Sequence, residues 1–265
     1  MSLIIKKSRE LISPETFKWK VLIIAQPGFG KTSWAATAPN PGFAACETGQ
    51  GNGLLPVAAA NIDYVEPASV ADFDQICSGQ IFKDKETLVI DSGTDMCRTF
   101  IKDFALSIPR SKGSSPKRAA GVPELDDYGT MGEVFRRNVR KAMDLDKHVV
   151  VTATMRIQQP DAETGKGEYL IGPDLPGALF LSSTAMFDTV LVGRTRSKLR
   201  DPKDAKTRYI ERYFVTQPDG VHLAKCRTSL NGKALLDPEE LFDITQNIGT
   251  FPVLLAKILR GYTNS

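Results

Sequence analysis

The segment that most constrains this chain is Ala25-Gln26-Pro27-Gly28-Phe29-Gly30-Lys31-Thr32, because the residues on either side of it are as telling as the segment itself. Residues 19–25 (WKVLIIA) are aliphatic and β-branched and run into a Gly/Pro cluster, which predicts a buried strand entering a tight loop. Residues 32–37 (TSWAAT) then open a helix that Pro39 and Pro41 close. Gly28 and Gly30 permit bends that turn successive backbone N–H groups inward, and the free N–H groups of the helix start add to them. Such a turn is a cradle for phosphate oxygens. The spacing fits the Walker A pattern, with Ala25 where glycine is commoner. The expected nucleotide-binding residues are Gln26, Pro27, Gly28, Phe29, Gly30, Lys31, Thr32 and Ser33. Lys31 would bring a full charge to the β- and γ-phosphates, and the Thr32 hydroxyl would ligate Mg²⁺.

A second metal-site residue follows the next strong apolar run. Residues 87–90 (TLVI) predict a strand, and Asp91 at its carboxyl end would hold Mg²⁺ through water, as a Walker B acid does. Two candidate strands, 42–46 and 62–65, lie between Lys31 and Asp91, leaving room for the phosphate-binding and metal-binding strands to be separated in the sheet. That spacing suits the additional-strand ATPases better than kinases or GTPases, and no NKxD motif for guanine occurs, so ATP is the expected nucleotide. Ser92 occupies the place after Asp91 where many P-loop ATPases carry a catalytic acid. Glu47, ending strand 42–46, is the carboxylate left to orient or deprotonate the attacking water. Thr154 closes strand 148–153 and is placed to sense the γ-phosphate.

Elsewhere, helices are expected over 69–77, with Ser69 as N-cap, from about 95 to 106, and over 129–145. Two polar segments, 107–125 and 157–175, read as loops; the first is basic and rich in Ser, Gly and Pro. The last third predicts strands 189–192, 208–216 and 221–224, the final pair joined at the turn Gln217-Pro218-Asp219-Gly220, and then a helix over 237–260. The fold class is α/β, a mainly parallel sheet flanked by helices with a C-terminal antiparallel hairpin. With 265 residues, 42% of them hydrophobic, one domain over 1–265 is expected. A net charge of +3 permits a nucleic-acid partner without arguing for one. Cys46, Cys77, Cys97 and Cys226 are scattered and read as reduced thiols. No apolar run is long enough to span a bilayer, and the N-terminus has no signal-peptide core, so a cytoplasmic protein without membrane contact is expected.

Taken in order, QPGFGKTS, the acid in AACETGQG, LVIDSGTD, VVVTATMR and AKCRTS follow the RecA-like ATPase core over roughly residues 18–230, ahead of a helical segment at 235–262. Together with Asp127-Tyr128-Gly129 and Pro173-Asp174-Leu175-Pro176-Gly177, they make the chain resemble the small phage RecA-like ATPases of AAA type, some of which are single-strand annealing recombinases. The resemblance implies a RecA-like P-loop core, a catalytic role for Glu47, and a γ-phosphate sensor at Thr154, where the family more often carries Gln or His. It implies that Lys225 and Arg227 reach across a subunit interface to a neighbour's ATP, which requires a homo-oligomer, ring or filament. It also implies single-stranded DNA binding by the two loops, through Arg110, Lys112, Lys117 and Arg118 in the first and Lys166, with Tyr169, in the second. A single-strand-binding protein is a further partner in that setting. Two rival readings stay open: a P-loop kinase with 194–208 as a phosphate lid, and a nucleotide-gated binding module with little turnover.

Overall fold

The structure, a computed structural model, describes residues 13, 15–47, 52–109, 121–161, 167–201, 204–230 and 232–263. The apolar run after Trp19 forms β1 (Lys20–Ala25), buried along its whole length, and the phosphate-loop segment leads from it into α1 (Lys31–Ala35). Next come β2 (Pro41–Ala45), 3₁₀ turns over Asn52–Ala60, β3 (Asp63–Val65), α2 (Val70–Cys77) and β4 (Thr87–Asp91). The expected helix near 95–106 is broken into α3 (Gly93–Met96) and α4 (Lys102–Ser107) by a wide π turn at Cys97–Ile101. Then follow α5 (Leu125–Met143), β5 (His148–Gln158), β6 (Leu170–Pro173) and α6 (Leu179–Ser182). The last part holds β7 (Thr189–Leu199), β8 (Arg208–Val215), β9 (Lys225–Cys226), β10 (Ser229–Leu230), β11 (Lys233–Ala234), β12 (Glu239–Phe242) and α7 (Phe251–Thr263).

The main sheet has the order β12-β8-β7-β1-β5-β4-β2-β3, with β6 paired to β5 and β9 to β7. From β7 to β3 the strands are parallel; β8 and β12 add antiparallel at one edge. The phosphate-loop strand β1 and the Asp91 strand β4 are thus separated, as expected of a RecA-like core. The separating strand is the later β5, however, while β2 and β3 lie beyond β4.

Alternation along the strands divides the core into two layers. Val21, Ile23, Ala25, Phe43, Val89, Val150 and Leu191 face α1, the 3₁₀ turns and α7; Leu22, Ile24, Ala44, Leu88, Ile90, Val149 and Val151 face α2 to α6. Every strand-end residue with the parity of Val89 or Val150 is therefore aimed at the side where the phosphate loop turns into its helix.

Three expectations need correction. The predicted 208–216/221–224 hairpin does not form: β8 pairs with β7 and β12, and 221–223 runs beside Ile171. The β7–β8 hairpin, closed across 200–207, is the antiparallel addition. The helix over 237–260, and with it the helical segment 235–262, begins only at Phe251; Glu239–Phe242 is a strand that covers the open edge of β8. Strand 148–153 runs on to Gln158, so Thr154 lies inside β5 rather than closing it. Smaller shifts follow local chemistry. α5 starts four residues early, at a capping box in which the Glu124 N–H donates to the Asp127 carboxylate (2.9 Å). No helix among the described residues is long and apolar enough to cross a membrane.

Candidate nucleotide site

The turn between β1 and α1 has the backbone its glycines predicted. Gly28 and Gly30 stand at φ 78° and 102°, in the left-handed region that side chains avoid. The Trp34 N–H is bonded to the Gly30 carbonyl (2.9 Å), so the N–H groups before it are those a helix start leaves for a ligand. The Phe29 side chain packs beneath the loop. It is buried, with its ring 5.2 Å from that of Phe214 on β8 and 5.6 Å from that of Phe242 on β12, and so anchors the loop tip to the antiparallel edge. The Gln26 and Pro27 backbone forms the loop's first half, where Lys31 Nζ is held by the Ala25 (3.1 Å) and Gln26 (3.3 Å) carbonyls. Burial lowers the Lys31 pKa, opposed by the charges of Asp91, Glu47 and Asp95.

Asp91 sits at the end of β4 with the parity of Val89, and that aims its carboxylate at α1. The Thr32 hydroxyl donates to one oxygen (2.7 Å) and the Thr152 hydroxyl on β5 donates to the other. Burial raises the Asp91 pKa, while the two hydroxyls and the Lys31 charge hold it down. Thr152 was not singled out from the sequence. Alternation alone puts Val150, Thr152 and Thr154 on one face of β5, but only the register sets that strand between β1 and β4 and so brings Thr152 to Asp91. Thr154 pairs with Ala25 at the root of the loop, and its N–H donates to the Thr94 hydroxyl (3.0 Å).

Glu47 continues the Phe43–Ala45 face of β2. Its carboxylate is folded against Gly53: a Cβ there would stand 3.0 Å from Glu47 Cδ and nearer still to Oε2. Its pKa is raised by burial and by the Asp91 and Asp95 charges, with Lys31 pulling the other way. Glu47, Thr154, Gly28 to Ser33, Pro56, Arg212, Phe242 and Ile244 line one recess of about 380 Å³. The structure therefore brings together Lys31, Thr32, Asp91, Glu47 and Thr154 from four separate segments. Mg²⁺ and a triphosphate fit this donor set. Thr32 and Asp91 supply the hard oxygen donors that Mg²⁺ takes alongside phosphate and water, and the loop supplies N–H groups and one cation.

Lys225 and Arg227 are not in this recess. β9 pairs with β7 at Thr189 and Val190, level with Val21 at the start of β1, about 13 Å of strand from the loop end. Their side chains donate to the Thr184 (2.8 Å) and Ala185 (3.0 Å) carbonyls respectively, and burial lowers the Lys225 pKa to about 8. As placed, neither side chain lines the phosphate recess of its own chain. Arg110, Lys112, Lys117, Arg118 and Lys166 lie outside the described residues. The roots of their two loops meet at a second recess of about 480 Å³, where Asp127-Tyr128-Gly129 and Pro173 to Gly177 come together. Arg98, Lys102, Arg156 and the half-exposed Tyr128 line it; Arg98 pairs with Asp174, and the Arg156 guanidinium lies 4.5 Å over the Phe180 ring.

Among solved structures, the KaiC-like protein PH0186 from the hyperthermophilic archaeon Pyrococcus horikoshii OT3 is similar over 87% of each chain, at 15% identity and a TM-score of 0.44. A DnaB-like replicative helicase, solved in a study of its interactions with primase, is similar at 15% identity and a TM-score of 0.42, over 79% of this chain and 52% of the helicase chain. No curated protein sequence matches. A family model described as "AAA domain" matches residues 17–228, which takes in the phosphate loop, Glu47, Asp91, Thr152 and the Lys225/Arg227 pair. With most of its length inside that match, the protein belongs to the AAA domain family of P-loop ATPases.

Proposed function

We propose that this protein hydrolyses ATP at interfaces between its own copies and acts on single-stranded DNA, in the setting of phage recombination or replication. The observation that carries the ATPase reading is the Asp91 carboxylate held between Thr32 and Thr152, with Lys31 and Glu47 at the same recess. The loop N–H groups and Lys31 bind the β- and γ-phosphates, and Thr32 and Asp91 hold Mg²⁺, which when bound withdraws charge from the phosphate oxygens. Glu47 accepts a proton from the water that attacks the γ-phosphorus; the bond to the β–γ bridging oxygen breaks, and ADP and phosphate leave. A raised pKa suits Glu47 to that task, because a stronger base has more driving force for the proton it takes. Thr154 lines the recess beside the loop and is the candidate sensor of the γ-phosphate.

The interface reading draws on Lys225 and Arg227, which sit beside the start of β1, outside the phosphate recess of their own chain, and would serve the ATP of a neighbour. The DNA reading draws on the recess between the loop roots, where Arg98, Lys102 and Arg156 offer cations for phosphates and Tyr128 a face for stacking. The kinase reading is less favoured, because Arg196 and Lys198 of the candidate lid are paired with Glu211 and Glu239 along the hairpin. The decisive measurement is ATPase rate with and without single-stranded DNA. Stimulation by DNA, lost in Lys31→Ala, with Glu47→Gln binding ATP but not turning it over, is the expected result. Turnover indifferent to DNA of any length removes the DNA reading, and a fully active Glu47→Gln removes the assigned base.

A further inference from the structure

The phosphate recess contains a cation that neither the loop nor the Lys225/Arg227 pair supplies. β7 and β8 project beyond the end of β1, which stops at Ala25, and alternation puts Phe214, Arg212 and Ile210 of β8 successively outward on the α1 face. Phe214 is buried against the Phe29 ring, so it is fixed under the loop tip. Arg212 is the next residue out on that face, flanked in register by Thr195 of β7 and Phe242 of β12. Phe242 in turn covers Gly30, where an added Cβ would meet its ring at 3.4 Å.

Arg212 is thereby carried to the mouth of the loop by the same three-ring cluster that anchors the loop. It lines the phosphate recess and also an adjoining cleft of about 500 Å³. That cleft opens where β1 ends and leaves β5 and β7 to run on apart, with Met155 and Ile157 on one wall and Gly193 and Thr195 on the other. Of the other cations on these strands, Arg196 is paired with Glu211 and Glu239 and Lys198 with Glu211, while Arg194 lies on the opposite face of β7, 4.0 Å from Met155 Sδ. The Arg212 side chain makes no hydrogen bond or ion pair with any described residue, although its charge lowers the pKa of Asp243 at longer range. A planar guanidinium with five free donors, set beside a ring of backbone N–H groups, is matched in shape and charge to phosphate oxygens.

We propose that Arg212 is a positioning residue for the triphosphate, acting in cis: its guanidinium engages the terminal phosphates of the nucleotide held by its own loop, and so couples the β7–β8 hairpin to the presence of the γ-phosphate. This rests on the reading of the recess as an ATP site. The sense of the coupling follows from geometry, since Arg212 shares its strand with Phe214 and its register with Phe242, both of which touch the loop. Arrival or departure of the γ-phosphate would therefore bear directly on the hairpin that extends over the adjoining cleft.

The test is titration of the full chain with a fluorescent, slowly hydrolysed ATP analogue and with the matching ADP analogue, in Mg²⁺. Arg212→Ala should weaken the triphosphate by about 10- to 100-fold and the diphosphate by less than about threefold. Arg212→Lys should recover part of the loss, with melting temperatures unchanged because the side chain is exposed and unbonded. ATPase mixing separates cis from trans: Lys31→Ala subunits should restore turnover to Arg227→Ala subunits by lending an intact pair, but should not restore Arg212→Ala. Equal loss for both nucleotides, no loss for either, or rescue of Arg212→Ala by mixing would each overturn the inference while leaving the ATP site standing. A wild-type chain that binds neither analogue would remove the site and the inference together.

Discussion

Replacing Gly53 by alanine is the sharpest test of the base assigned to the site, because it touches Glu47 without altering it. Gly53 lies in the 3₁₀ turns that follow the β2 loop, and its backbone does not occupy the left-handed region, so alanine is tolerated there without strain. The added Cβ would stand 3.0 Å from Glu47 Cδ and closer to Oε2. Restoring ordinary contact distances requires the carboxylate to move by about 1 Å. Since only the end of a flexible side chain must give way, the fold should not suffer, and loss of glycine's chain entropy should stabilise it by about 0.5 kcal/mol. A carboxylate displaced by that distance from the water it must deprotonate is expected to lower kcat by about 100-fold. KM for ATP should stay near its wild-type value, because the loop, Lys31 and Thr32 are undisturbed. Steady-state ATPase kinetics with a urea melt of both proteins give all three quantities. A kcat within threefold of wild type, in a protein whose Glu47→Gln variant is inactive, would show that the carboxylate does not work from the position seen here, and the geometric argument would fail.

Three further outcomes are expected. Thr152→Val removes the donor to one oxygen of a buried carboxylate and should cost about 1–3 kcal/mol of stability, with a raised Mg²⁺ requirement for ATPase; a variant as stable as wild type would mean that water replaces the hydroxyl freely. In the pH profile of kcat, the working form of Glu47 is the ionised one and its pKa is raised, so activity should rise with pH through a limb lying above the ordinary carboxylate range; a limb at or below about pH 4 contradicts the assignment. His148 is buried, accepts the Trp19 N–H at Nδ1 (2.9 Å) and has its pKa lowered from 6.5 to about 4, chiefly by burial and then by Lys18 and Lys20. A depressed histidine contributes stability that is complete above pH 6.5 and lost as pH falls through 4, here about 3 kcal/mol. His148→Asn, which keeps an acceptor but does not titrate, should flatten that part of the stability curve in urea titrations, and an unchanged slope would exclude His148 as its source.

The second core layer shows why the sequence reading stopped where it did. Near-continuous apolar runs in residues 19–25, 87–90 and 148–153 mark each as a strand with two buried faces, and the same runs would serve for any neighbour in any order. Hence β5 was legible as a strand, but its insertion between β1 and β4 was not, and the Thr152 contact to Asp91 depends on that insertion. The last third failed for a related reason. Residues 237–260 are mixed in polarity and suit a helix, yet the exposed edge of β8 offers backbone partners to Glu239–Phe242, and tertiary pairing outweighs local propensity.

What the sequence alone determined is the phosphate turn and the order of the motifs around it. All the constraints on that turn fall within a dozen residues: a buried strand before it, two glycines whose φ must be positive, and a lysine and threonine at the head of a helix. What only the tertiary structure decided are the contacts between distant segments: Thr152 on Asp91, Gly53 beneath Glu47, Phe29 pinned by Phe214 and Phe242, and Arg212 brought to the recess. The physical reason is that backbone conformation is set by a residue and its immediate neighbours, whereas a site is assembled by sheet order and register, which the burial of the whole core selects.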